Sequence, residues 1–434
     1  MSRQSIELQM IVKNESVHLA RCLRSIRDVV DRIVIGDTGS TDDSAAVARS
    51  FDAEIISAPW NGDFAAARNA VLRHSRCDWI LVLDADEMLD ANGAQALAKA
   101  AQQPGPAAYD VCRWNYVLET HSHSGEHGAL RNPGLLPESS SYPAYVKSIN
   151  TRLFRRHPQV YFERPVHETV VYRLQKLQLP IAAAPFLIHH FGHTEDARAD
   201  RARKNEIYYQ IGMRHLEKNP DDARTCFELG LVELDYFKKP EAALSLFLRA
   251  LQLNQQDSEP WIFAGVCLVR MQKYVEAIEL LSHAAKLNPH SIVLQESLGD
   301  AWFHQGDQLK ALASYRSAIQ MGSASALVLA KHGVCVIYCG RRKAGLRALQ
   351  EALRREPDFP ELLDVVVAGA ALSRDNALAA KIARRRFPMA GTSAFHYALA
   401  GTLLSLSGES ALREDVFREG LSKFPNDPAL AAER

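Results

Sequence analysis

Gly230, Gly265, Gly299 and Gly333 recur at intervals of 35, 34 and 34 residues, and Gly401 lies 68 beyond the last of them. Other small residues keep the same step at Ala277, Ala311 and Gly345, and again at Ala284, Ala318 and Ala352. Helix-breaking endings recur at Asn288-Pro289, Glu356-Pro357 and Phe424-Pro425. A fixed period of this length prescribes one supersecondary unit repeated along the chain, each unit burying its apolar stripe only against its neighbours. Small residues where two helices touch make that unit a helix pair. The stretch near 361–388 lacks the expected glycine, so the period predicts five or six units over residues 223–434.

The first part of the chain follows a different rule. Ile6 to Val12 reads as a strand, and Ser16 to Arg27 as a helix with apolar residues at Val17, Leu19, Ala20, Leu23 and Ile26. A second strand, Ile33 to Ile35, ends in GDTGSTDD (Gly36–Asp43), where Ser40, Thr41, Asp42 or Asp43 can cap a helix that starts near Ser44. A third, Glu54 to Ile56, leads through Pro59-Trp60-Asn61-Gly62 to a helix from Asp63. This alternation predicts an α/β domain with a mostly parallel, Rossmann-like sheet. Trp79 to Leu83 is wholly apolar and suits a strand buried on both faces. Asp84, Asp86 and Glu87 then reverse the polarity at the strand's carboxyl end, where open α/β sheets bind ligands. Aspartates one residue apart can face one hard cation, Mg²⁺ or Mn²⁺, together with a substrate's phosphates. The competing reading is a solvated acidic turn. Asp37, at the end of the second strand, can accept hydrogen bonds from a base edge or ribose, or can cap the next helix.

VKNE (Val12–Glu15), GDTGSTDD, DFAAARN (Asp63–Asn69) and WILVLDADE (Trp79–Glu87), in that order and spacing, resemble the family 2 glycosyltransferases of GT-A fold. Within them the motifs look like the bacterial branch of SunS-like peptide S-glycosyltransferases, closely over residues 5–90 and more weakly to about 210. The resemblance implies that Lys13, Asn14 and Glu15 border the nucleotide and that Asp37 contacts uracil or ribose. It sets Arg68, Asn69 and Asp84 beside the sugar-nucleotide and makes Asp84-Ala85-Asp86 the DXD motif, with Asp86 the metal ligand. Such chemistry suits a cation, because a departing nucleoside diphosphate gains negative charge as the glycosidic bond breaks. Glu168, in Arg164-Pro165-Val166-His167-Glu168, is the expected base of an inverting transfer, standing where the family more often has an Asp in an ED pair. In Phe186–His193 the resemblance singles out His190 to complete the metal shell, ahead of His189 and His193. The periodic half resembles the tetratricopeptide repeat, an all-α solenoid, best over 261–265 and 277–289.

Residues 104–143 are the least readable part of this half, and within them 118–143, rich in Gly, Pro, Ser and His, read as a long acceptor-site loop. His121, His123 and His127 within it would need a fourth ligand to hold a metal. Strands are expected at Ile149–Phe154 and Val160–Phe162, and a polar helix follows Glu195, with Arg201, Arg203 and Lys204 expected to be solvated and a place near the diphosphate as the alternative. The expected division is 1–195 transferase domain, 196–222 connecting helix and 223–434 repeat array. Lys+Arg and Asp+Glu both total 51, which offers no argument for nucleic acid or an anionic membrane. The start of the sequence has no signal-peptide core, no apolar run approaches the ~18 residues of a membrane span, and seven scattered cysteines suit a reducing compartment. A cytoplasmic protein is expected. The expected donor is a nucleotide sugar, UDP-sugar first, and the acceptor a peptide, protein or glycan, with acceptor or partner protein on the repeats. The rivals are a sugar nucleotidyltransferase and a noncatalytic repeat scaffold with a degenerate transferase domain.

Overall fold

A computed structural model describes residues 3–192 and 198–432, which divide into two compact units at Gln256/Asp257. The first unit opens with β1 (Ile6–Val12), α1 (Ser16–Ile26), β2 (Arg32–Asp37), α2 (Ser44–Arg49), β3 (Glu54–Ser57), α3 (Phe64–Leu72) and β4 (Trp79–Val82). β3, β2, β1 and β4 lie side by side and parallel, with Val12 level with Asp37. Burial on both faces explains the unbroken apolar run of β4. On one side Leu8, Met10 and Leu81 pack with Leu23 and Ile26 of α1; on the other, Ile80 and Val82 pack with Ala65 of α3. The chain continues through β5 (Glu87–Met88) and α4 (Ala91–Ala101).

Beyond β4 the sheet is mixed. β6 (Ala108–Val117) is followed by the small hairpin β7 (His123–Ser124) and β8 (His127–Gly128), then β9 (Leu130–Arg131), β10 (Ala144–Arg155), α5 (Val171–Lys176) and β11 (Ile181–His190). β10 runs antiparallel to β4 and β6, β11 is parallel to β6, and β5 closes the order β3-β2-β1-β4-β10-β6-β11-β5, with β9 beside β10. So a ten-residue strand precedes the expected loop, within the stretch that the sequence leaves least readable. Its pattern hid it, because Asp110, Arg113 and Asn115 interrupt the apolar positions and two of these serve the site described below. The expected strand at Val160–Phe162 is instead an irregular segment. There the Asn69 amide substitutes for a neighbouring strand, accepting from Phe162 N–H at 2.8 Å and donating to its carbonyl at 2.8 Å.

After α6 (Arg198–Lys218) come the helix pairs. α7 (Ala223–Asp235) and α8 (Pro240–Leu253) belong to the first unit. The second unit holds α9 (Ser258–Arg270) with α10 (Tyr274–Leu287), α11 (Ile292–Gln305) with α12 (Gln308–Gln320), and α13 (Ala326–Tyr338) with α14 (Arg342–Arg355). It continues with α15 (Pro360–Leu372) and α16 (Asn376–Arg385), α17 (Ala394–Ser407) and α18 (Ser410–Lys423), and ends in the short α19 (Pro428–Ala431). The periodic glycines sit at the eighth residue of α7, α9, α11, α13 and α17, against the eighth residue of the partner helix. A methyl group on Gly230, Gly265, Gly299 or Gly401 would lie 2.5, 2.5, 2.4 or 2.3 Å from Phe247, Leu281, Tyr315 or Phe417. The unit that lacks the glycine keeps the volume by exchange: Val367 takes the small position of α15 and Ala383 the bulky position of α16, both buried in one cluster.

Candidate active site

Register sets the first wall. Because Val12 and Asp37 are level at the ends of β1 and β2, Lys13–Glu15 run beside the loop after β2. Asn14 adopts a left-handed backbone (φ 57°), and its side-chain Oδ1 accepts from Thr41 N–H at 2.8 Å. Its own N–H donates to Ser40 Oγ at 3.1 Å, and Glu15 N–H donates to Ser44 Oγ at 2.7 Å. Asp37 Oδ1 accepts from the amides of Gly39 and Ser40 at 3.1 and 2.8 Å. Burial alone would push its carboxyl up, but those hydrogen bonds outweigh it and hold the group below its ordinary value. Lys13 is exposed at the rim.

The carboxylates after β4 do different work. Asp84 Oδ1 accepts from Arg68 Nη2 at 2.7 Å and Oδ2 from Arg152 Nη2 at 3.1 Å. Arg68 Nε donates to Glu168 Oε1. Fully buried Glu87 accepts from Arg113 Nη1 at 2.9 Å, Arg152 Nη2 at 3.1 Å and the Asp84 amide at 2.8 Å. Three guanidiniums thus face three carboxylates, the pairing that buried charges require. Burial works to raise the Asp84 carboxyl, yet Arg152, Arg68 and Arg113 together hold it well below the usual carboxylate range. Asp84 is therefore the anion that fixes Arg68 and Arg152.

Asp86 faces the other way. Its Oδ2 lies 3.2 Å from His190 Nε2. Asn115 donates through Nδ2 to Val146 O at 3.0 Å and Ser148 Oγ at 3.1 Å, which turns its Oδ1 toward His190 Nδ1, 2.9 Å away. Nδ1 must therefore carry a proton, and Nε2 faces a carboxylate oxygen. Two lone pairs at that separation need a proton or a cation between them. Gly192 keeps the space open, since a methyl group there would sit 2.4 Å from Asp86 Oδ2 and 2.7 Å from His190 Nε2. The donor set, one carboxylate and one imidazole fixed from behind by an amide, fits a small divalent ion. Among the described residues no third His, Cys, Asp or Glu joins the pair.

The other histidines separate. His189 is buried in the core, with Nδ1 2.9 Å from the Tyr116 hydroxyl and its ring stacked on Tyr116. His123 Nε2 pairs with Asp235 of α7 at 3.1 Å, His121 approaches Glu119 at 3.6 Å, and no metal cluster forms among them. His193 lies outside the described residues.

Glu15 and α6 complete the site. Burial first, then the charges of Asp86, Asp84 and Asp42, push the Glu15 carboxyl up to about 7, against the opposing charge of Lys204. Lys204 of α6 is exposed, as expected, and its charge still reaches Glu15. The Tyr208 ring, also from α6, packs edge-on against Phe64 at 5.3 Å and His167 at 6.4 Å. Burial and the carboxylates of Asp84, Glu168 and Asp86 push its hydroxyl up to about 12, so it stays a neutral hydrogen-bond donor. Asn69, expected beside the sugar-nucleotide, holds the Phe162 backbone instead. Arg113, Asn115, Arg152 and Tyr208 escaped the sequence reading; Arg152 had a signal, a charge inside the apolar INTRLF.

The Glu15 shift has a sign that can be measured. A carboxyl whose folded pKa stands near 7 against 4.5 contributes its full stability below about 4.5 and loses it as pH rises through 7. Glu15→Gln should therefore melt above wild type at pH 8, by roughly 1–3 kcal/mol of stability, and show no such gain at pH 4. Equal gains at both pH values would rule the assignment out.

Residues 8–165 match the family described as Glycosyl transferase family 2. The chain is 34% identical over 231 residues to a TPR repeat-containing protein of Synechococcus elongatus, covering 52% of this chain and 51% of that one. It is 26% identical over 250 residues to the SPbeta prophage-derived glycosyltransferase SunS of Bacillus subtilis, covering 57% of this chain and 53% of that one. The chain thus spans about half the length of the curated relatives it matches. Among solved structures, PilW, a type IV pilus biogenesis factor, superposes with a TM-score of 0.43 at 15% identity, over 48% of this chain and 97% of its own. No helix among the described residues is long and apolar enough to cross a membrane.

Proposed function

We propose, for a chain that carries a family 2 glycosyltransferase domain ahead of tetratricopeptide-type repeats, that it transfers a sugar from a nucleotide-diphosphate sugar to a hydroxyl or thiol acceptor with inversion. The observation that carries this reading is the opposition of Asp86 Oδ2 and His190 Nε2 at 3.2 Å, with Nδ1 secured by Asn115. Asp86 and His190 would hold Mg²⁺ or Mn²⁺, with the donor's phosphates completing the shell. When bound, that ion supplies positive charge against the departing diphosphate. The loop from Gly36 to Asp43 and the Lys13–Glu15 turn line the nucleoside end, with Asp37 as the acceptor for ribose or base hydroxyl and N–H groups. Arg68 and Arg152, fixed by Asp84, hold positive charge beside the reacting centre. Glu168 takes the proton from the acceptor O–H or S–H as the new glycosidic bond forms and the anomeric C–O bond to phosphate breaks. Tyr208 keeps a neutral O–H at the site and, with Phe64, limits water.

The helix pairs are proposed to hold the acceptor polypeptide or a partner protein. A thermal-shift series with UDP-, GDP- and dTDP-sugars, with and without Mn²⁺, tests the donor reading, because a ligand of the folded state raises the melt by mass action. A sugar nucleotide at a hundredfold excess over its Kd should stabilise the chain by about 2.7 kcal/mol, and only with Mn²⁺ present. If no member of the series moves the melt, the donor assignment is wrong. Removing residues 257–434 should leave that shift unchanged while abolishing acceptor capture.

A further inference from the structure

We infer that Glu228 of α7, with Asp222 and Thr225, is a positioning residue for the loop that carries Glu168. The inference rests on the proposed role of Glu168 and extends it to a helix outside the family match, which ends at residue 165.

The loop is a closed turn. Glu163 and Thr169 exchange backbone hydrogen bonds at 2.9 and 3.1 Å, and between them Arg164 (φ 77°) and His167 (φ 52°) both adopt left-handed conformations. Two such residues in four positions persist only where surrounding contacts over-determine the backbone. From one side α3 supplies those contacts: Phe64 N–H donates to Pro165 O at 3.0 Å, and Arg68 binds Glu168 itself.

From the other side the contacts come from α7. Arg164 forks onto Glu228, Nη1 to Oε1 at 3.2 Å and Nη2 to Oε2 at 3.1 Å. Nη2 also donates to Thr225 Oγ1 at 2.8 Å and lies 3.6 Å from Asp222 Oδ2. The side chains of Arg164 and Glu228 are 10% and 13% exposed, so this two-pronged ion pair is shielded from water and resists displacement. Asp222 is in turn fixed as the cap of α7, accepting from Thr225 N–H at 2.9 Å, and by His215 of α6 at 3.1 Å. A helix assigned by its period to the repeats therefore holds the far side of the turn that aims Glu168.

The test uses the full chain, with Glu228→Ala and Glu228→Gln. Hydrogen exchange at the Glu163 and Thr169 amides reads the turn directly. In Glu228→Ala both should exchange at least roughly tenfold faster, with the β1 and β4 amides unchanged. Transfer kcat should fall on the order of 10- to 100-fold while Kd for the nucleotide sugar stays at the wild-type value. Glu228→Gln keeps one acceptor for Arg164 and should recover much of both losses; it also carries the comparison if the alanine chain does not fold. Wild-type exchange at residues 163 and 169 in both variants overturns the inference, whatever the activity. Faster exchange in a protein whose wild type transfers no sugar would support the positioning role and reject the proposed reaction.

Discussion

Asp86→Ala should transfer sugar at no more than roughly a thousandth of the wild-type rate, and its melt should no longer respond to Mn²⁺ in the presence of donor. The size follows from the geometry. Among the described residues Asp86 and His190 are the donors that converge on the space Gly192 leaves open, so the substitution removes half of that described donor set and its carboxylate charge. The fold should survive. Asp86 bonds through its side chain to His190 and is 21% exposed; losing that pairing costs stability while relief of like-charge pressure on Glu15 returns some, so the apo melt should stay close to wild type. Steady-state transfer and metal-dependent melts on one preparation check the prediction. Wild-type turnover in saturating Mn²⁺ would remove the metal site from the mechanism.

Glu168→Gln should lower kcat by roughly 10²–10⁴-fold, the usual worth of a positioned general base, while leaving nucleotide-sugar affinity unchanged. Glutamine keeps the volume and can still accept the hydrogen bond from Arg68 Nε, but it cannot take a proton. The same change removes one of three anions facing Arg68, Arg113 and Arg152, so the variant should also melt lower, as when one member of a buried pair is neutralised. Rates should therefore be compared well below either midpoint. Separate measurement of donor Kd distinguishes loss of chemistry from loss of binding. Undiminished kcat would show that another group accepts the proton.

What could be read from the residues alone divides along physical lines. β2 to β4 were legible because each holds an apolar run closed by a polar turn, β1 because Ile6, Leu8 and Met10 alternate with Glu7 and Gln9 before Ile11-Val12, and the carboxylates after Leu83 could be located because strand ends of open sheets carry ligand sites. Asp86 and His190, 104 residues apart, were paired through the resemblance, and the fold brings them together. β6 was not legible. Arg113 and Asn115 occupy positions that an ordinary strand would give to apolar residues, and their partners, Glu87 and His190, are supplied by distant chain. Tyr208 gave no signal, since an aromatic on a polar helix reads as packing until the helix is seen against Phe64. In the array, the pattern failed where Val367 and Ala383 exchange the sizes of their counterparts, because a period of single residues cannot register a volume conserved across two helices.

The division of the chain at Gln256/Asp257 also bears on how such proteins can diversify. A recombination that swaps modules downstream of that point leaves α3, α6 and α7, and hence every residue bonded to the Glu168 turn, untouched. Under the proposed acceptor role of the helix pairs, new client specificities can then be acquired by adding, deleting or shuffling later modules, without re-optimising the proposed chemistry. A crossover upstream of α7 would have no such freedom.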